Sequence, residues 1–379
     1  MSYAYLNARI RAMRGRLLGR PLYETLLAQE TAAGLLRILG DSPYGQAFAI
    51  TRSQFPAGAP GAENGAAEYG SWVDEALRRD LTQCLSRLRR FASDRARDLL
   101  EALLLRWDVY NLKTIVRGKR AAAPTEEILA STFPVGILDE VALAELTRAP
   151  TIRALGQTLE TWRVPVAQPF RRGLRLLEET DQFQPFEFEL DRFTFAQAFR
   201  VLADGGDDEV VLREYLRLLA DKINILTSLR YLSERSPLSG APIAGGPVAL
   251  PLQWVDAMGH EAGRYFLEAG GRFSRGQYDA VVRGRDLRHG LSLLAGTPYR
   301  WLADSVAAGE IPSLSRLERK LEHAVARKAV HLARHDPLGI GVAMAYVEQK
   351  TNEVRNLRMI LRGRALGMGV DQVAEWLNL

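Results

Sequence analysis

Cysteine occurs once in the 379 residues, at Cys84. No internal disulfide can form, and a reducing, cytosolic compartment is the expected setting. Proline is absent from residues 70–123 and 338–379. Such stretches argue against a strand-and-turn protein and for long helices. No apolar run reaches the roughly 18 residues a spanning helix needs. The longest, 338–347, lies between Pro337 and Glu348 and reads as the start of a buried helix. The N-terminus carries five arginines and no acid before Glu24, with no apolar core segment and no cleavage site. It is therefore not a secretory signal. Its likeness to a transit peptide fails because the helical pattern runs on unbroken.

Catalytic patterns are missing too. There is no Walker A sequence and no GxSxG elbow, and Gly339-Ile340-Gly341 lacks the third glycine of a dinucleotide fingerprint. The histidines are His260, His289, His323, His331 and His335. His331 and His335 have the i, i+4 spacing that can bind a metal from one helix face. No glutamate lies between them as a zincin requires, so they read as a solvated helix end. Cys84, flanked by Leu81, Leu85 and Leu88, reads as a small buried apolar residue. No metal or cofactor is expected.

What is present is an ordinary globular composition, 47% hydrophobic and 25% charged, which excludes disorder over most of the chain. Helical periodicity dominates. Residues 98–116, 212–232 and 342–363 are apolar nearly all round, as core helices are. Gly118 and Gly363 are expected to close the first and last of these. Residues 56–70 and 236–247 read as loops, the second as the stronger boundary, and 252–268 as a helix. FEFELDRFTF (186–195) alternates like a strand, but its helical neighbours favour a helix beginning near Asp191. The net charge of +5 divides into +7 over 1–125, −6 over 126–248 and +4 over 249–379. A nucleic-acid binder more often spreads one continuous basic face.

A repeat organises the chain. Asn111-Leu112-Lys113-Thr114-Ile115-Val116-Arg117-Gly118-Lys119 aligns with Asn356-Leu357-Arg358-Met359-Ile360-Leu361-Arg362-Gly363-Arg364. A weaker middle copy is Asn224-Ile225-Leu226-Thr227-Ser228-Leu229-Arg230. An acid stands three residues before each asparagine: Asp108, Asp221 and Glu353. A second marker precedes each copy: Leu39-Gly40-Asp41-Ser42-Pro43-Tyr44, Leu294-Ala295-Gly296-Thr297-Pro298-Tyr299, and the faint Leu146-Thr147-Arg148-Ala149-Pro150. The expectation is an all-α chain of three homologous helical domains, 1–125, 126–248 and 249–379. An acid and an asparagine at i and i+3 share one helix face. On a buried helix they need polar partners. Either they tie each core helix to a neighbouring helix end, or the Asn/Arg ends line a surface that a partner contacts. Arg117, Arg230 and Arg362 stand near helix C-termini, where the dipole favours a cation.

These motifs carry a resemblance. The opening Tyr3-Ala4-Tyr5-Leu6-Asn7-Ala8-Arg9-Ile10-Arg11, LLLRWDVYNLKTIVRGK (103–119), GGRFSRGQYDAVV (270–282), GTPY (296–299) and DPLGIGVAMAYVEQKTNEVRNLRMILRGR (336–364) together resemble the C subunit of V/A-type rotary ATPases. The eukaryotic counterpart is the vacuolar ATPase d subunit. The resemblance implies a funnel of three helical domains about a pseudo-threefold axis. It implies a non-catalytic socket on the cytoplasmic face of the membrane proteolipid ring, receiving a central stalk of D and F subunits. No catalytic residue carries over. Tyr5, Asn7, Arg9 and Arg11 join the three acid–Asn–Arg sets as candidate structural or interface residues. The alternatives are a helical scaffold that binds other proteins or RNA, and a helical enzyme with an unrecognised site.

Overall fold

The computed structural model of the chain describes residues 3–29, 31–54, 65–235, 262–307, 309 and 312–377. Every regular element among them is helical. In chain order they are α1 (Ala4–Arg14), α2 (Arg20–Ala28), α3 (Ala32–Gly40), α4 (Gly45–Gln54), α5 (Gly65–Phe91), α6 (Asp94–Arg120), α7 (Thr125–Ala130), α8 (Glu140–Arg148) and α9 (Ile152–Thr161). There follow α10 (Ala167–Thr180), α11 (Phe183–Val201), α12 (Asp207–Arg235), α13 (Arg275–Val282), α14 (Leu287–Ser292), α15 (Arg300–Ala307), α16 (Leu314–His335), α17 (Gly341–Ala365) and α18 (Val370–Ala374).

Local chemistry accounts for many of the helix starts. Thr31, Asp139, Thr151 and Asp286 each accept a backbone N–H in the first turn of the helix that follows. Ser274 and Gln277 form a reciprocal capping box at α13. Each such cap satisfies a donor that the helix leaves without an internal partner. The FEFELDRFTF segment lies wholly within α11, which begins at Phe183, upstream of Asp191. Of the expected loop 56–70, residues 56–64 lie outside the described residues, and 65–70 are helical as the start of α5. The loop 236–247 and most of the helix expected over 252–268 lie outside the described residues. The end of that helix is corrected: only Ala262–Tyr265 coil, as one 3-10 turn, and a non-helical segment follows.

Gly118 and Gly363 do not close their helices, since α6 runs on to Arg120 and α17 to Ala365. They permit close approach instead. A Cβ on Gly118 would lie 2.5 Å from the side chain of Ile128 in α7, and one on Gly363 2.8 Å from Val373 in α18. In both repeats the short helix that follows folds back over the glycine.

The chain forms two compact units, residues 1–190 with 201–212 and 329–379, and residues 191–200 with 213–328. In the first, α5 runs along α17, with α1 and α4 packed beside them and α6 touching α17. Leu81, Leu85, Leu104, Leu112, Ala343, Val347 and Leu357 are buried there. In the second, Ile225, Leu229 and Leu232 of α12 meet Phe273, Tyr278 and Val281, with Leu302, Leu317 and Leu321 completing the core. The three repeat helices α6, α12 and α17 thus run through the two cores.

Candidate functional site

All six acid and asparagine side chains of the repeat are 3% exposed or less. At that depth each polar atom needs a partner. Asp108 accepts the backbone N–H groups of Ile137 and Leu138, both at 2.9 Å. One turn on, Asn111 pairs with the backbone of Phe133 in both directions, donating to its carbonyl and accepting its N–H, each at 2.7 Å. Asp221 accepts the N–H groups of Arg272 at 2.8 Å and Phe273 at 3.2 Å. Asn224 pairs with Leu267 in both directions, at 3.1 and 2.8 Å. Glu353 accepts the N–H of Leu18 at 2.5 Å, and Asn356 shares a hydrogen bond with Tyr23.

The segments so held are equivalent. Leu138 stands just before the cap of α8, Phe273 just before that of α13, and Leu18 just before that of α2. Each repeat helix therefore clamps the residue just before a helix cap: α6 that of α8, α12 that of α13 and α17 that of α2. The close approach explains two glycines. A Cβ on Gly136 would sit 2.2 Å from the Asp108 carboxylate, and one on Gly271 1.8 Å from that of Asp221. Glu353 has one methylene more and reaches Leu18, where Arg16 stands at the position equivalent to Gly136 and Gly271.

The second marker completes two of the clamps. The Tyr44 hydroxyl donates to Glu353 and that of Tyr299 to Asp221, each at 2.6 Å. Ser42 and Thr297 set these tyrosines identically. Each hydroxyl donates to a carbonyl three residues back (Leu39, Leu294) and accepts the tyrosine's own N–H. The faint middle marker has no tyrosine. Instead the Lys119 ammonium donates to the carbonyls of Thr147, at 2.7 Å, and Ala149. Tyr44 and Tyr299 are site residues that the sequence reading does not single out, although the recurring Ser/Thr-Pro-Tyr signals them.

The third clamp also holds charge. The Lys350 ammonium lies 2.7 Å from Asp80 of α5 and 2.8 Å from both Glu353 and the Tyr44 oxygen. It also sits 4.2 Å from the centre of the Tyr44 ring. Burial works to lower the Lys350 pKa, but Glu353 and Asp80 outweigh it and the net direction is upward. Burial, followed by the charges of Glu353 and Asp80, pushes the Tyr44 hydroxyl well up. Burial also raises Asp221, against the Tyr299 hydroxyl and two N–H groups. It raises Asp108 from 3.8 to about 6, against the N–H groups of Ile137 and Leu138.

The repeat arginines lie near the surface. Arg117 pairs with Glu187 at 2.5 Å, Arg230 with Glu318 at 2.9 Å, and Arg362 with Asp74 at 3.0 Å through its Nε. At the N-terminus, Asn7 is buried and donates to the carbonyls of Leu338 and Gly339 at 2.6 and 3.2 Å. Arg11 donates to that of Pro337 at 2.7 Å. Both fasten α1 to the turn before α17. Arg9 lies over the Phe91 ring, 4.7 Å from its centre, while Tyr5 meets the same ring edge-on and is 61% exposed.

Among the described residues no group of three or more His, Cys, Asp or Glu could hold a metal ion. None of their helices is long and apolar enough to cross a membrane. Asp108 and Asp221 are held on backbone and hydroxyl donors, and Glu353 on these and the Lys350 ammonium.

The family model described as ATP synthase (C/AC39) subunit matches residues 6–241 and 253–375. The chain belongs to this family. It is similar over nearly its whole length to the C subunit of the V-type ATP synthase of Thermus thermophilus, 29% identical over 98% of this chain and 97% of that one. The C subunit of the A-type ATP synthase of Pyrococcus abyssi is 27% identical, over 98% and 89% of the two chains. That of the V-type enzyme of Deinococcus radiodurans is 26% identical, over 98% and 90%. The family match covers all three repeat helices with their clamps, so the chain is a subunit of a rotary ATPase assembly.

Proposed function

We propose that the chain is the non-catalytic connector of that assembly, coupling a central stalk of D and F subunits to a membrane proteolipid ring on the cytoplasmic face. The observation that carries the reading is the closed order of the clamps. With domains bounded at 1–125, 126–248 and 249–379, each repeat helix holds a segment of the next domain, and the third holds a segment of the first. In this reading the three homologous domains make up a funnel about a pseudo-threefold axis. Such a body has a central hollow for one asymmetric shaft and a rim to rest on a many-fold ring. Torque passes through it without loss only if its parts do not slip. Close-packed helices with buried, fully engaged polar ties supply that stiffness.

Basic side chains of the first and third domains would face acidic loops or lipid headgroups. Arg9 and Arg11 are partly occupied within the chain, over Phe91 and on Pro337. Arg14 and Arg16, both exposed, are the stronger contacts. The test is affinity capture of the tagged chain from membranes. Head and ring subunits should co-purify, and Arg14→Glu with Arg16→Glu should weaken ring recovery more steeply as salt rises. Recovery of nucleic acid alone, or ring association indifferent to these charges at every salt concentration, overturns the respective part of the reading.

A further inference from the structure

We propose that His331 and His335, in the last turn of α16, form a two-point chelating site for a borderline transition-metal dication such as Zn2+, Ni2+ or Cu2+. The two imidazoles meet through their Nε2 atoms, 3.2 Å apart, with ring centroids 4.5 Å apart and planes at 73°. Two nitrogens that far apart, each at a zinc–nitrogen distance of about 2.1 Å, subtend an angle of about 100° at the metal. That value lies between the cis angle of an octahedral site and the tetrahedral angle, so both geometries accept the pair without movement of the helix. At 3.2 Å the two nitrogens are within hydrogen-bond distance, so one carries a proton that the metal must displace, and the i, i+4 spacing on one helix keeps the pair together.

A second, independent feature favours a dication at this place. The site lies at the C-terminus of a 22-residue helix, where the unpaired carbonyls present the negative end of the helix dipole. Both histidines are exposed, so water can fill the remaining positions. Asp336, the adjacent acid, is not a ligand. Its two oxygens accept the N–H groups of Gly339 and Gly341, both at 2.8 Å. That arrangement gives the site a structural consequence. The turn capped by Asp336 is the one whose carbonyls receive Asn7 and Arg11, and Asp208 holds its Ile340 N–H at 3.1 Å. A metal on His331 and His335 orders the last turn of α16 and, through the capped turn, the seat of α1.

The experiment is calorimetric titration and thermal melting of the full chain with ZnCl2 and NiCl2, with MgCl2 as the oxygen-seeking control. Zn2+ and Ni2+ should bind with one-to-one stoichiometry and raise the melting temperature, while Mg2+ does neither. His331→Gln and His335→Gln should each weaken binding by more than about tenfold, since even an outer-sphere partner is worth that much. Hydrogen exchange should report Zn2+-dependent protection at residues 336–341 and in α1, lost in His335→Gln. Absence of Zn2+ binding below millimolar concentration, or affinity unchanged in both variants, overturns the site. Binding without protection of α1 overturns the coupling. None of these readouts depends on the partners of the chain, so the outcome is separate from that of the connector reading.

Discussion

Asp108 and Glu353 occupy equivalent places in α6 and α17, yet their surroundings differ in kind. Asp108 meets two backbone N–H groups, with the bare Cα of Gly136 against it. Glu353 meets one N–H, a tyrosine hydroxyl and a lysine that is itself shared with Asp80. The first solution needs a short side chain and a glycine opposite. The second uses a longer side chain, and that reach leaves room for a cation to balance it. The difference follows from what each clamp must hold. Asp108 grips a segment close by in the chain, 29 and 30 residues on, whereas Glu353 grips the far N-terminus across 335 residues. A longer closure costs more chain entropy. More interactions are concentrated at the third clamp, where Tyr44 in the turn before α4, Asp80 of α5 and the N-terminal segment all meet α17.

The largest effect should come from breaking the charge balance that the third clamp holds. Lys350→Met leaves the buried Glu353 and the half-buried Asp80 without their cation. Removing one partner of a buried ionic group typically costs about 3–5 kcal/mol. Chemical denaturation should show that loss, and Glu353→Gln added to Lys350→Met should restore part of it. A double variant as unstable as the two single losses added together would mean that Lys350 and Glu353 do not act as a unit.

Next comes pH, which separates the clamps in the opposite sense. Asp108 has its folded pKa raised from 3.8 to about 6 by burial. Its proton therefore contributes stability that is fully present below about pH 4 and is lost as pH rises through about 6. A shift of that size corresponds to about 3 kcal/mol between the two limits. Unfolding measured from pH 4 to 7 should show wild type losing stability relative to Asp108→Asn, which has no carboxyl to titrate there. Parallel curves for the two proteins would show that Asp108 keeps its ordinary pKa in the fold.

Much of this is legible in the sequence, for identifiable reasons. The helices are visible because apolar spacing and missing prolines act locally. The acid–asparagine pairs are visible because a polar residue on an apolar helix must find a partner. Their partners are not visible, because backbone N–H groups carry no side-chain signature. Gly136 and Gly271 give no signal of their own, since nothing in a lone glycine says which carboxylate lies against it. Gly118 and Gly363 mislead, because a glycine near a helix end reads as a stop, whereas here a following helix lies on it. Tyr44 and Tyr299 are signalled by the recurring marker, but its target, a repeat acid distant in the chain, emerges only when the chain is folded. Lys350 is hidden, because a lysine three residues from a glutamate on a helix usually means a solvated pair.

The smallest effect tests the steric half of the comparison. Gly136→Ala places a methyl group 2.2 Å from both oxygens of Asp108. The carboxylate or the loop must move, and overpacking of this kind costs about 1–3 kcal/mol. The size alone does not identify the cause, since the alanine could strain the loop by itself. A double-mutant cycle does identify it. With Asp108→Ala as the background the opposing carboxylate is gone, and Gly136→Ala should then cost little, giving a coupling energy close to its full effect in wild type. At the third clamp the position equivalent to Gly136 is Arg16, so the longer acid is served there by a residue that carries a side chain. Equal penalties for Gly136→Ala with and without Asp108 would mean that the glycine serves the path of the loop, and that the shorter acid does not require it.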